Sequence, residues 1–196
     1  MHKLNLNFCS AALAVVVGLG GALAGCTTTL NRSEAPSASA RSTMDRDVEA
    51  TLTRLYTVVP GSGELVSRSA AVLVFPSVIG GSFVVGAEYG RGALREGGGQ
   101  ITGYYSTTAG SIGWQAGGQS KAIIYVFNTK DALDKFKSSN GWTAGVDATV
   151  AVGHMGANGS IDTQTIQQPI ASFILTNIGL EAGASVGAAK ITPIQL

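Results

Sequence analysis

Apolar and polar residues alternate with a period of two over much of the chain beyond residue 70, a pattern typical of strands with one covered face. The alternation is densest over residues 100–127. Residues 101–106 alternate, residues 108–111 have turn composition, and residues 112–115 resume the alternation. This stretch therefore predicts consecutive strands joined by short turns, a β-meander.

The last strand of this meander differs from the others because residues 122–127 are all apolar. A run of this kind indicates burial on both faces, and hence a central strand. Gly117 and Gly118 precede it, and glycine adopts the positive φ angles that a tight hairpin requires. We predict a hairpin at these two glycines.

Helical periodicity dominates the region before the sheet. Apolar residues recur every three or four positions over 44–59, after a capping pattern that begins at Ser42, and this predicts an amphipathic helix. A second short helix fits residues 64–70. Residues 72–75 then read as a buried strand that Pro76 ends, because proline cannot donate to a sheet.

The second half of the chain predicts one helix and further strands. Thr129 is the expected N-cap of a helix that ends near Asn140. Residues 146–155 alternate into Asn158-Gly159, a strong hairpin signal, with a returning strand over 160–167. Two final strand regions are expected, over 170–176 and 180–191.

The predicted fold class is therefore α+β, with a single sheet-dominated domain over residues 44–196. We expect a curved antiparallel meander or barrel-like sheet covered by a few short helices. The composition fits this expectation, because 27 of the 196 residues are glycine and only 13% are charged. Such a chain favours closely spaced backbones over a helical bundle.

The N-terminus has the pattern of an export signal. Residues 1–25 combine a weakly basic start, an apolar stretch of about 15 residues and small residues before Cys26. This stretch is shorter than the roughly 20 residues of a membrane-spanning helix. Residues 23–26, Leu-Ala-Gly-Cys, resemble the lipobox of bacterial lipoproteins, which implies cleavage before Cys26 and its acylation. An ordinary secretory cleavage site is the alternative.

The residues after Cys26 predict a tether and a location. Residues 26–43 are rich in Ser, Thr and Ala, so we expect a lipidated cysteine followed by a flexible linker. Thr27 after the cysteine resembles lipoproteins sorted to the outer membrane, with the inner membrane as the alternative. We expect an outer-membrane lipoprotein that faces the periplasm, and leave its exposure at the cell surface open.

Four strand-like pieces place a polar residue two positions after a glycine, and three of these pairs define a candidate lipid groove. Period two puts both members of a pair on the same face, which would leave that face open. The candidate groove residues are Gly86, Glu88, Gly113, Gln115, Gly179 and Glu181. The alternative is that glycine allows a strongly curved sheet to close without steric clashes.

Three basic residues lie nearest to this glycine-rich region: Lys121, Arg91 and Arg95. We consider them as candidates for contact with a lipid headgroup, with ordinary surface charge as the alternative. The whole chain has 13 basic and 12 acidic residues, so nothing draws it to nucleic acid.

The sequence contains little that indicates catalysis. Cleavage would remove Cys9 and acylation would occupy Cys26, which leaves no free thiol, and nucleotide-binding, zinc-protease and serine-hydrolase motifs are absent after Cys26. His154 is interpreted as structural or solvent-facing. Asp147 and Asp162 could bind a cation, but turn aspartates are the more common explanation. We therefore expect no enzyme, no cofactor and no metal site.

The chain resembles the SYLF-domain family over about residues 44–191. The matching features are spread along this region in the family's order: Val74-Phe75-Pro76, Gly86 to Gly90, Tyr104-Tyr105, Gln115-Ala116-Gly117 with Gln119-Ser120-Lys121, Gly141-Trp142, Gly145-Val146-Asp147, and Pro169-Ile170 through Gly179-Leu180. The resemblance implies a lipid-binding domain. Eukaryotic relatives bind phosphoinositides and, in yeast, actin.

The charge of the first helix separates this chain from the eukaryotic relatives. Their N-terminal segment is basic, whereas residues 45–49 here are mixed to acidic. We therefore do not expect actin as a partner. Two functions remain: a lipid-anchored protein whose domain binds phospholipid, or a non-enzymatic envelope structural or protein-interaction lipoprotein whose sole lipid is its own anchor.

Overall fold

The computed structural model describes residues 38–82, 85–112, 119–153, 161–177, 179–180 and 188–196, all within one compact unit, Glu34–Leu196. The elements, in chain order, are α1 (Ala38–Val58), α2 (Ser62–Arg68), β1 (Ala71–Ser82), β2 (Val85–Glu96), β3 (Ile101–Ile112), β4 (Gln119–Phe127), α3 (Lys130–Ser138), β5 (Trp142–Thr143), β6 (Ala151–Val152), α4 (Thr163–Gln167), β7 (Ile170–Thr176), β8 (Gly179–Leu180) and β9 (Ala189–Ile194). The α+β, sheet-dominated fold class is confirmed.

The predicted first helix is present, but it begins earlier than expected. α1 starts at Ala38, so the last six residues assigned to the flexible tether are helical and Ser42 is not its cap. Tertiary contact accounts for this extension, because Arg41 Nε donates to the carbonyl of Leu196 at 2.7 Å. α2 confirms the second short helix.

The described strands form one nine-stranded sheet in the order β5-β9-β3-β2-β1-β4-β7-β6, with β8 also paired to β7. β4 is central and buried on both faces, as predicted. However, β3 pairs with β2 and β9, whereas β4 pairs with β1 and β7. The prediction of a meander from β3 into β4 is therefore wrong, because β1 and β2 lie between these strands. Gly117 and Gly118 lie outside the described residues.

β1 does not end at Pro76. The strand continues to Ser82, and its register with β2 shifts between Val74 and Ser77. Its register with β4 shifts between Phe75 and Val78. This irregularity is a β-bulge, which accommodates a proline that cannot donate to a neighbouring strand.

The turn predicted at residues 108–111 is also wrong, because β3 runs unbroken from Ile101 to Ile112. The reversal lies instead between β2 and β3, at Gly97, Gly98 and Gly99. Gly98 and Gly99 have φ angles of 87° and 86°, which glycine adopts without strain.

Residues 146–155 and 160–167 do not form the predicted pair of strands. The first region contains a turn followed by the two-residue strand β6, which pairs in parallel with β7. The second region forms α4, because Asp162 accepts from the amide of Thr165 at 2.7 Å and caps a helix. Asn158 and Gly159 lie outside the described residues. The strand at 170–176 is confirmed as β7.

Helices cover both faces of the sheet. α1 packs Val48, Leu52 and Leu55 against one face, where they meet buried residues of β1, β2, β4 and β7. α3 packs Leu133 and Phe136 against the other face. Thr129 caps α3 as predicted, since its hydroxyl accepts from the amide of Ala132 at 3.3 Å.

The face under α3 is concave. Tyr125 of β4 and Trp142 of β5 have ring centroids 6.0 Å apart, although five strand spacings, about 24 Å in a flat sheet, separate β4 from β5. The sheet must therefore curl around this aromatic core, while α1 and α2 lie on its convex face. Among the described residues, no helix has the length and apolar character needed to cross a bilayer.

Candidate functional site

The two faces of β2 differ in their exposure to solvent, and successive residues lie on opposite faces. Glu88, Gly90 and Gly92 face the concave side, whereas Tyr89 and Arg91 face the convex side. Glu88 is partly buried, but Tyr89 is 51% exposed. The side of this strand that is open to solvent is therefore the aromatic one, opposite to the side proposed as a groove.

Glu88 and Lys121 form an ion pair on the concave face. Lys121 Nζ lies 3.0 Å from Glu88 Oε1, and the two side chains are 24% and 21% exposed. The pair crosses β1 at Gly80, where an added Cβ would come within 2.9 Å of Glu88 Cγ. The ammonium group of Lys121 is thus paired with the carboxylate of Glu88 on the concave face of the sheet.

The hydroxyl of Tyr125 lies deeper on the same face. Among the described residues it has no hydrogen-bond partner. Burial raises the pKa of Tyr125, and the negative charge of Glu88 raises it further. The phenol therefore remains protonated and carries an unused donor.

The convex face presents an exposed row of side chains beyond the area that α1 covers. Strand register aligns five residues, one from each of β9, β3, β2, β1 and β4: Lys190, Thr108, Tyr89, Ile79 and Ser120. All five are exposed, and Ile79 reaches 62%. We call this set the convex row.

Two cations accompany the apolar centre of the convex row. Lys190 ends the row, and Arg91 is exposed on the same face as Tyr89, two residues along β2. Within the described residues, neither cation has a carboxylate partner. The convex row therefore combines exposed aromatic and aliphatic surface with positive charge.

Arg95 lies at the other end of β2, apart from Arg91 and Lys121. Its Nη1 is 2.6 Å from Glu49 Oε1 of α1. It lines a cavity of about 360 Å³ between α1, α2 and the β2–β3 turn, together with Tyr56, Ser69 and Gly97. The three basic candidates from the sequence therefore belong to three different surroundings.

Of the other groove candidates, Gly86 and Gly179 lie within the described residues, in different parts of the sheet. Gly86 lies in β2 opposite Ser82. Gly179, with φ 133°, lies at the β7–β8 turn, where an added Cβ would be 4.0 Å from Val58 Cγ1 of α1. Four predicted site residues lie outside the described residues: Cys26, Gly113, Gln115 and Glu181. His154 lies outside them as well.

The two aspartates considered for cation binding have local structural partners. Asp147 Oδ2 accepts from the amide of Thr143 at 2.5 Å and closes a turn. Asp162 caps α4 and also accepts from the hydroxyl of Thr165 at 2.8 Å. In the described part of the chain, no group of three or more His, Cys, Asp or Glu side chains could hold a metal ion.

Sequence reasoning missed the convex row and the Arg95 cavity. An open face at Gly86 and Glu88 implies, by period two, a covered face at Tyr89, and no sequence motif singles out Ile79 or Lys190. A register alignment of β1 with β2 would have placed Ile79 beside Tyr89. The run of three glycines at 97–99 was the signal for the turn that borders the cavity.

Comparison with known proteins gives one family match. Residues 108–195 match the family described as Ysc84, Las17-binding protein actin regulator. No curated protein matches the chain. The match covers the end of β3 and every described element from β4 to β9, and agrees with the resemblance seen in the sequence. Residues 108–195 are therefore similar to the SYLF (Ysc84) domain family.

Proposed function

We propose that this protein is a periplasmic lipoprotein, anchored through Cys26 in the outer membrane, whose SYLF domain binds anionic phospholipid bilayers through the convex row. The family supports a lipid-binding or actin-related domain in general. The observation that carries the lipid proposal is the exposed pair formed by Ile79 and Tyr89, which are direct partners on β1 and β2.

The chemistry of the convex row suits a bilayer interface. Tyrosine is enriched at the headgroup level, because its ring is apolar and its hydroxyl is polar. A Lys or Arg near an anionic surface contributes about 1 kcal/mol. Arg91 and Lys190 would supply two such contacts on the same face as the apolar centre.

Vesicle flotation tests this function on a chain that begins at Thr27, which lacks the anchor and keeps the whole unit Glu34–Leu196. We expect wild type to bind phosphatidylglycerol vesicles, with weaker binding at high salt. The double variant Ile79→Ser with Tyr89→Ser should lose about tenfold or more in affinity, because two interfacial apolar side chains are removed.

Val146→Ser is the matched control, because Val146 is 70% exposed but belongs to a turn outside the convex row. Its binding should equal that of wild type. Bilayer binding by this surface is refuted if wild type binds no vesicles. It is also refuted if the double variant binds as well as the Val146→Ser control. The alternative, an envelope structural or protein-interaction lipoprotein, would then be preferred.

Catalysis has no part in this proposal. Lys121 is paired with Glu88, Asp147 closes a turn and Asp162 caps a helix. These contacts support a binding role over an enzymatic one. No cofactor is proposed, and nucleic acid and actin are not proposed as partners.

A further inference from the structure

The cavity beside Arg95 has features of a ligand site that the convex row does not use. Its volume of about 360 Å³ falls within the range of small-molecule pockets, about 300–1,000 Å³. α1 and α2 form one side through Tyr56, Val66 and Ser69, and the β2–β3 turn forms the other. The walls therefore combine an aromatic ring, a guanidinium group and bare backbone.

Arg95 has hydrogen-bond donors at this cavity other than the one that contacts Glu49. Glu49 occupies Nη1, whereas Nη2 and Nε lie beside Gly99, where an added Cβ would be 2.9 Å and 3.4 Å from them. Among the described residues, Nη2 and Nε have no acceptor. A guanidinium presents its donors in a fixed planar fork that matches an oxyanion.

The turn adds two backbone donors. The amide of Gly99 donates to the carbonyl of Glu96, and the amide of Glu96 donates to the carbonyl of Gln100, each at 3.0 Å. The amides of Gly97 and Gly98 donate to no backbone carbonyl of the described chain. An added Cβ at either glycine would meet open space. Ligand atoms can therefore approach this backbone closely.

Two carboxylates belong to the surroundings of the cavity: Glu96 lines it, and Glu49 contacts Arg95. Glu96 is held by Lys137 Nζ and Thr102 Oγ1, each at 2.6 Å. Glu49 is 60% exposed and reaches Arg95 from α1. An incoming anion can displace it into water at low cost, because exposed ion pairs contribute little stability.

We propose that the Arg95 cavity binds a small phosphate-bearing anion. A phosphate group offers three or more acceptor oxygens, enough for the free edge of Arg95 and the amides of Gly97 and Gly98. The ring of Tyr56 would border the uncharged part of the ligand, of the size of a glycerol group. The phosphate can come from a soluble ester or from a lipid headgroup.

The cavity is separate from the convex row. Tyr89 and Arg95 are six residues apart on β2, which is about 20 Å along a strand. A phosphate bound beside Arg95 would therefore not share the contacts of the convex row. This inference does not depend on bilayer binding, because its ligand can be supplied in solution.

Calorimetric titration of the full chain, held in neutral detergent micelles, with inorganic phosphate and glycerol 3-phosphate tests the proposal. We expect binding by wild type and at least about tenfold weaker binding by Arg95→Gln, because a charge-assisted contact is lost. Glu49→Gln should bind more tightly, since the competing carboxylate is gone. Arg68→Gln is the control, because Arg68 is paired with Glu64 at 3.4 Å and does not line the cavity.

A second arm identifies the source of the phosphate. Phosphatidylglycerol is added to the same micelles, and the thermal shift of wild type is compared with that of Arg95→Gln. The soluble phosphates could fail to bind while phosphatidylglycerol raises the melting temperature of wild type but not of Arg95→Gln. That result would support the same site with a lipid phosphate as its ligand. Failure of wild type to respond in both arms would overturn the proposal. An equal response by folded Arg95→Gln, checked by circular dichroism, would overturn it as well.

Discussion

At the scale of single residues, Glu96 joins three elements. Its carboxylate at the end of β2 accepts from Lys137 of α3 and from Thr102 of β3. The bond from Lys137, and then the bond from Thr102, lower the pKa of Glu96 below its ordinary value of 4.5. The same bond to Glu96 raises the pKa of Lys137. The pKa of Glu96 therefore depends on contacts that exist only in the folded protein.

Glu96 should make stability depend on acid. A carboxyl whose pKa is lower in the folded protein contributes stability above its unfolded pKa, and this is lost as pH falls through the folded pKa. We expect wild type to lose unfolding free energy below about pH 4.5 more steeply than Glu96→Gln. Urea unfolding at a series of pH values measures the difference.

The control for this titration is Glu64→Gln. Glu64 pairs with Arg68 within α2 and is 70% exposed, so its contribution should be small. Its acid profile should follow wild type. If the free energy of unfolding falls equally with pH in Glu96→Gln and in wild type, Glu96 is not the source of the acid dependence.

Tyr89 shows what the sequence could predict about single residues. Period two correctly separated Tyr89 from Glu88, because adjacent side chains of a strand point to opposite faces. Which face would be covered depends on where α1 ends over the sheet, and strand periodicity carries no such information. An aromatic residue was therefore assigned to the covered side although it is exposed.

At the scale of elements, β1 and β2 approach so closely that glycine is required in β2. An added Cβ at Gly92 would come within 2.2 Å of the Val74 carbonyl oxygen and 2.7 Å of Phe75 Cδ1. These atoms belong to the bulged part of β1, which is buried. The close approach supports the alternative reading of the strand glycines, in which they allow a curved sheet to form.

Gly92→Ala should therefore be destabilising by about 1–3 kcal/mol, the usual cost of overpacking a core. Gly110→Ala in β3 is the matched control, because an added Cβ there has no atom within 4 Å. We expect its stability to stay within about 0.5 kcal/mol of wild type. Chemical denaturation measures both, and equal stability of the two variants would contradict this view of the sheet.

Several elements were predictable, whereas others depended on distant partners. The helices α1 and α3 and the strands β4 and β7 have strong local signals in periodicity, capping and unbroken apolar runs. The continuation of β1 through Pro76 was not predictable, because it depends on pairing with β2 and β4 on either side. α4 was misread as a strand because the cap provided by Asp162 outweighs a weak alternation.

At the scale of the whole molecule, the proposed attachment to the outer membrane depends on Cys26, which lies outside the described residues. Cys26→Ser should leave the protein unprocessed or released from the outer membrane, since no acyl chain could be attached. Stable anchoring requires more than one acyl chain, because a single chain binds only marginally. Membrane fractionation and mass spectrometry of the N-terminal peptide measure both effects.

A cysteine variant that still partitions with outer membranes would refute the anchor, provided that the wild-type peptide also lacks acyl mass. The Val146→Ser protein serves as the control for expression and export, because it keeps Cys26 and changes one exposed side chain. It should fractionate with wild type.

The overall architecture was predictable only as a class. A glycine-rich sequence with period-two alternation indicates a curved sheet, and the curl is present. The strand order was not predictable, because it depends on contacts between residues far apart in sequence. The same limit applies to the candidate site. Arg91, Arg95 and Lys121 are the basic residues nearest the glycine-rich region of the sequence, yet they occupy the convex face, a cavity and the concave face.

The pairing of β3 with β9 has a consequence for how the chain acquires its structure. β1, β2 and β3 are consecutive and can pair through short connections. In contrast, Thr107 of β3 pairs with Ile191 of β9, which is 84 residues further along the chain. Contacts between such distant residues slow folding, commonly to milliseconds or longer. Until β9 arrives, β3 has an unpaired edge, which is a template for aggregation. A chain crossing into the periplasm from its N-terminus would expose this edge until translocation is nearly finished, so its yield should depend on chaperones that shield strand edges.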